Sequence, residues 1–133
     1  MFPKKSLSIH YLLKVQLING RNTRKYGLEI SPRAQIGIGL YLGHPYNITV
    51  GEGVVLGNNV NLHKGCTIGR VNRGNIGSPH IGDNVYIGIN ATVVGNIHIG
   101  SDVLIAPNSY VNIDVPDHSI VCLLYTSDAA DER

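Results

Sequence analysis

The sequence has no tryptophan, only two cysteines, and charged side chains at just 15% of its 133 positions. So apolar a chain is a poor candidate for disorder, and 16 glycines do not suit a helical bundle. A formal net charge of +2 gives no sign of a nucleic-acid partner held by bulk charge. No run reaches the roughly 18 apolar residues of a membrane span, and Met1–Gly20 has no apolar stretch followed by a cleavage site. A cytoplasmic protein with no membrane span is the resulting expectation. Cys66 and Cys122 do not make a disulfide framework, and no metal-ligand spacing surrounds either. The length suits one domain with a core of its own.

What the chain does have is a period of six. An aliphatic residue recurs at Ile30, Ile36 and Leu42, then from Val50 to Ile68, then from Ile81 to Val111, making thirteen hexads in three blocks. A small residue, most often glycine, usually follows it, and a second apolar or small residue stands four positions on. Hexapeptide repeats of this kind mark a parallel β-helix. Each hexad makes one short strand and a corner, and three hexads close a triangular coil. Gly, Asn and Asp recur at the corners ("GNN", "GDN", "GSD") because corners need residues that tolerate unusual backbone angles. Thirteen hexads predict an all-β fold of a little over four coils, stabilised by stacking. Residues 1–28 read as an N-terminal cap or leader, with Ser6–Ile18 a short helix or strand and Asn19–Lys25 a polar, basic turn.

The period breaks twice. At His44–Thr49 it slips by two residues, and between Ile68 and Ile81 "GRVNRGNIGSPH" adds seven, predicting one projecting loop. Insertions in a solenoid gather on one face, often the binding face; the plain alternative is tolerated surface insertion. His44 stands in the first break. A histidine, with an ordinary pKa of about 6.5, is a natural general base at neutral pH. Glu29 lies fifteen residues earlier, close to one coil, which predicts a carboxylate almost directly below His44 to orient it. His63 occupies the small-residue position of its hexad and is expected to point outward. His63, His80 and His98 have no mutual spacing that argues for a metal site. No metal is therefore expected.

The final stretch, Cys122–Arg133 ("CLLYTSDAADER"), departs from the repeat. It looks like the in-frame translation of a sequencing adapter and reads as a fusion scar outside functional reasoning. The alternative is a natural tail. The domain of interest then runs from residue 29 to 121.

Within that span the sequence resembles the hexapeptide-repeat acyltransferases, most closely the serine acetyltransferase-like branch. The residues that carry the resemblance are "LEISPRAQIGIGLYLGH", "NITVGEGVVLGNNVNLHKGCTIG", "IGDNVYIGINATVVGNIHIGSDVLIAPNSYV" and the closing "DVPDHSIV". The resemblance implies a left-handed β-helix, a homotrimer with active sites between subunits, and acetyl-CoA as acyl donor. It implies His44 as base and Glu29 as its partner, where the serine enzymes have Asp. It assigns Gly69, Arg70, Gly88, Ile89, Ala106 and Pro107 to the acetyl-CoA groove. Gly43, Gly77 and Ser78 fall at acceptor-binding positions, where serine acetyltransferases carry an Asp and an Arg-His pair. Their loss favours a neutral acceptor, such as a sugar hydroxyl in surface-polysaccharide synthesis, over the alternative, serine O-acetylation in cysteine biosynthesis. A non-catalytic or metal-binding β-helix is the rival from another class.

Overall fold

A computed structural model of the protein describes residues 8–126. The chain enters through one helix, α1 (Ile9–Tyr26). Ser8 caps it, its hydroxyl accepting from the Tyr11 amide, and Gly27 ends it in the left-handed conformation that favours glycine. Asn19–Lys25 is thus the last part of a helix and not a turn. Gly20 and Asn22 are weak helix formers, but Asn19, Asn22 and Tyr26 are half-buried on the side that meets the first coil. Tertiary packing overrides propensity there.

Five coils follow. The first is β1 (Glu29–Ile30), β2 (Gln35–Ile36) and β3 (Tyr41–Gly43). The second is β4 (Thr49–Val50), β5 (Val55–Leu56) and β6 (Asn61–His63). The third is β7 (Thr67–Gly69), β8 (His80–Ile81) and β9 (Tyr86–Ile87). The fourth is β10 (Thr92–Val94), β11 (His98–Ile99) and β12 (Leu104–Ile105). The fifth has β13 (Tyr110–Val111), a parallel bridge from Val115 to Ile99, and β14 (Ile120–Val121). β15 (Leu124–Tyr125) then pairs with β13 and opens a sixth.

Every third strand stacks on the one before, all in parallel. Sheet A is β1-β4-β7-β10-β13-β15, sheet B is β2-β5-β8-β11, and sheet C is β3-β6-β9-β12-β14. The fold is an all-β, left-handed parallel β-helix. It is longer than the predicted four-and-a-fraction coils because Val115 re-enters the core only four residues after Val111, a second slip that hides the last hexads from a strict count of six. The seven residues from Arg70 to Ile76 project as expected, and the base of their loop closes by paired backbone bonds between Val71 and Gly77. Among the described residues no helix is long and apolar enough to cross a membrane.

The interior is a single column of the periodic aliphatics. Val50, Leu56, Leu62, Ile68, Ile87, Val93 and Ile105 are all but completely buried, with Val54, Val60, Cys66 and Ala91 from the second apolar position. Ile30, Ile36 and Leu42 are only half-buried, because the first coil has another coil stacked on one side only. At the corner from sheet B to sheet C, side chains tie the coils together. Asn58 Oδ1 accepts from the Ile38 amide at 3.0 Å, Asp83 from Asn58 at 2.7 Å, Ser101 from Asp83 at 3.0 Å and Asp117 from Ser101 at 2.7 Å. That ladder is the physical reason for the recurring "GNN", "GDN" and "GSD".

Burial pushes the Cys66 thiol up to about 12, whereas Cys122 is exposed. A thiol-reagent titration of native protein should therefore register one reactive cysteine, and two after denaturation. Rapid native modification of both would contradict the packing of Cys66.

Candidate active site

His44 leaves β3 at the corner that joins sheet C to sheet A. It is exposed, and its φ of 52° lies in the left-handed region, where a histidine is uncommon. The slip that hosts it lengthens the first coil to twenty residues, so β1 pairs with β4 as Glu29↔Thr49 and Ile30↔Val50. Glu29 therefore sits beneath Thr49, five residues beyond His44, rather than directly below His44. A regular coil of eighteen residues would already set Glu29 three residues out of register with His44, and the two extra residues widen that to five. The two side chains flank the same corner, Glu29 on the sheet A side and His44 on the sheet C side. Among the described residues no hydrogen bond or ion pair joins them.

The corner is a column. Gly43 pairs with His63, which places Lys64 over His44. Continuing the β6–β9 and β9–β12 registers puts Gly88 and then Ala106 above His63, and Ile89 and then Pro107 above Lys64. Backbone bonds Asn90 N to Lys64 O (3.0 Å) and Asn108 N to Ile89 O (2.9 Å) carry the ladder through the corner. Four of the six residues assigned to the donor groove thus share one corner with His44. Gly88 has a structural reason too: a Cβ there would lie 2.6 Å from the Pro107 nitrogen. Lys64 was not singled out in the sequence, although adding one twenty-residue coil to His44 would have found it. It is the cation nearest in register to the candidate base.

Gly69 and Arg70 lie elsewhere, at the far end of sheet A, where the projecting loop begins. Arg70 Nε donates to Asn72 Oδ1 at 3.1 Å. Gly77 and Ser78 end that loop. Ser78 is buried, and its hydroxyl donates to the Glu52 carbonyl at 2.6 Å, anchoring the loop to the coil below. Gly77, at φ 143°, leaves no room for a Cβ, which would meet Asn96 Cβ at 2.7 Å.

His63 does not point freely outward. Its ring stands between Tyr41 and Tyr86, with centroids 6.2 and 4.5 Å away, and its Nε2 is buried without a partner. It fills the space over Gly43: a Cβ at 43 would be 2.5 Å from His63 Nδ1 and 2.6 Å from Cε1. The glycine before His44 and the histidine one coil above are therefore a matched pair. Gly43→Asp should destabilise the fold by about 1–3 kcal/mol, as overpacking does. Adding His63→Ser should return much of that loss. Urea denaturation of the two single variants, the double variant and the parent would check the coupling, and strict additivity would refute it. His80 and His98 stack on sheet B with centroids 5.1 Å apart, while His63 lies on sheet C. Among the described residues no three metal-ligating side chains converge.

This arrangement has counterparts. Residues 78–112 match the family model for the bacterial transferase hexapeptide (six repeats). Serine acetyltransferase 2 of Arabidopsis thaliana is 37% identical over 106 residues, covering 78% of this chain and 32% of the relative. Serine acetyltransferase of Staphylococcus xylosus is 43% identical over 97 residues, covering 71% of this chain and 44% of the relative. This chain thus spans less than half the length of these curated relatives. Among solved structures, serine acetyltransferase isoform 3 of Entamoeba histolytica, in complex with cysteine, superposes with a TM-score of 0.76 at 32% identity. The match covers 83% of this chain and 40% of that one. The Neisseria gonorrhoeae serine acetyltransferase, in complex with serine, gives 0.73 at 38% identity, covering 83% and 47%. The chain carries hexapeptide transferase repeats and is similar to serine acetyltransferases in both sequence and fold.

Proposed function

We propose that the protein is an acetyl-CoA-dependent O-acetyltransferase in which His44 is the general base. The observation that carries this reading is the shared corner of His44, Gly88, Ile89, Ala106 and Pro107, within a fold whose relatives are named serine acetyltransferases. His44 takes the proton of the acceptor hydroxyl as its oxygen attacks the thioester carbonyl. The tetrahedral adduct then expels the CoA thiolate, which receives that proton back from the imidazolium. No acyl-enzyme forms, so the exposed His44 acts on the acceptor and not on the chain. Glu29 is the positioning carboxylate of this reading, acting through His44. The Gly69–Arg70 end of sheet A and the projecting loop belong to a different corner from His44. A site that uses both is completed by a second chain, which fits a trimer with sites between subunits.

Serine is the first acceptor to test, because the relatives are named for it. This reverses the preference for a sugar drawn from the sequence. A sugar hydroxyl is the second reading, favoured by one observation: His63 fills the space over Gly43, where a substrate-binding carboxylate would have to stand. The deciding experiment follows loss of the thioester absorbance of acetyl-CoA with L-serine, methyl glycosides and nucleotide sugars. Turnover with serine alone supports the first reading and turnover with sugars alone the second. Failure of every hydroxyl acceptor would sink the proposal.

A further inference from the structure

We propose that the outer face of α1 docks on an anionic lipid bilayer. The helix packs against β1 of the first coil, and only its inner side is engaged. Val15, Asn19, Asn22 and Tyr26, spaced to share one side, are half-buried, and no residue of the helix is fully buried. On the opposite side Ile9, Leu13 and Leu17 recur every fourth residue and are 71%, 52% and 73% exposed. Three aliphatic side chains in one open stripe, with Tyr11, Leu12 and Ile18 also exposed elsewhere around the helix, give α1 more open apolar surface than an ordinary face. Lys14, Arg21 and Arg24 flank that stripe along the same outward side.

Charge selects the occupant. The first 28 residues hold six of the eleven Lys and Arg and no Asp or Glu, while residues 29–121 hold four basic and six acidic residues. The chain is cationic at the end where the apolar stripe is exposed and anionic elsewhere. A helix with aliphatics on one stripe and cations beside it lies in the plane of an anionic interface, aliphatics inserted and cations among the headgroups. It lies flat and does not span, being too polar to cross. A second copy seated face to face on the same stripe would bring like charges together.

Docking has a consequence for the site, which rests on the proposed role of His44 although the docking itself does not. The edge of the Tyr46 ring meets Tyr26 of α1 at 5.9 Å between centroids, and the Asn47 amide donates to the Tyr26 carbonyl at 3.0 Å. His44 is thus on the coil that α1 contacts, and docking would hold it near acceptors displayed at the bilayer surface.

The test is vesicle flotation of the full chain. One set of vesicles is phosphatidylcholine alone, and the other contains about one third phosphatidylglycerol. The full chain should float with the anionic vesicles, at least about tenfold less with the neutral ones, and be released by high salt. Leu13→Glu/Leu17→Glu should lose flotation while keeping the parent's melting temperature, since both side chains are exposed. His44→Ala should float like the parent whether or not it transfers acetyl groups. A parent that stays soluble beside anionic vesicles overturns the proposal, as does undiminished flotation of the double variant. A drop in sedimentation mass of that variant without lipid, with no flotation of the parent, would assign the stripe to contacts between copies.

Discussion

His44→Ala is expected to lower acetyl transfer by about 10²–10⁴-fold while leaving acetyl-CoA binding nearly unchanged. The reasoning is geometric. His44 stands at the mouth of the corner, outside the core, so removing its ring opens no cavity and breaks no ladder bond. The residues proposed for the donor groove at the same corner belong to coils three and four and keep their places. The loss should therefore fall on kcat, with little change in the KM for acetyl-CoA, because the proton is transferred only as the hydroxyl attacks. Glu29→Gln is the informative companion. If Glu29 orients His44 in the working assembly, its loss should move the pH profile as well as the rate. Steady-state kinetics of the variants, with direct binding of CoA, would check both. Near-parental turnover by His44→Ala would remove the histidine from the mechanism.

Ile68→Ala should destabilise the protein by about 2–5 kcal/mol, against less than about 0.5 kcal/mol for Leu104→Ala. The two residues make the contrast clean. Ile68 is completely buried in the third coil, on a strand paired with β4 below and β10 above. Leu104 is exposed on sheet C. A solenoid is held by contacts between neighbouring coils, so a cavity in a central coil weakens two interfaces at once. Urea unfolding would measure the difference, and similar losses for the two variants would contradict a core confined to the periodic aliphatics.

Much of this molecule was readable along the chain because a β-helix is nearly one-dimensional. When each hexad contributes one strand and one inward aliphatic, burial follows from counting. Ile81, Ile87 and Ile105 went inside for that reason, and the seven-residue excess after Ile68 could only project. Counting fails where the count changes. The slip at His44 moved Glu29 under Thr49, and the slip before Val115 hid most of a coil. The helix was misread at Asn19–Lys25 because part of what holds it is contact with the first coil, which no local pattern shows. The twenty-residue count stacks His63 on Gly43, but spacing does not show that the His63 ring turns to close the space over it.

The sequence by itself determined the solenoid, its corners, its projecting loop and the histidine placed in a break of the repeat. The period of six is local, and each hexad meets the same demand to bury one aliphatic side chain. Tertiary structure alone decided which side chains share the corner of His44, what fills the space over Gly43, and which face of α1 remains open. Those outcomes depend on the register between coils, and register is set by the accumulated length of every coil rather than by any one hexad.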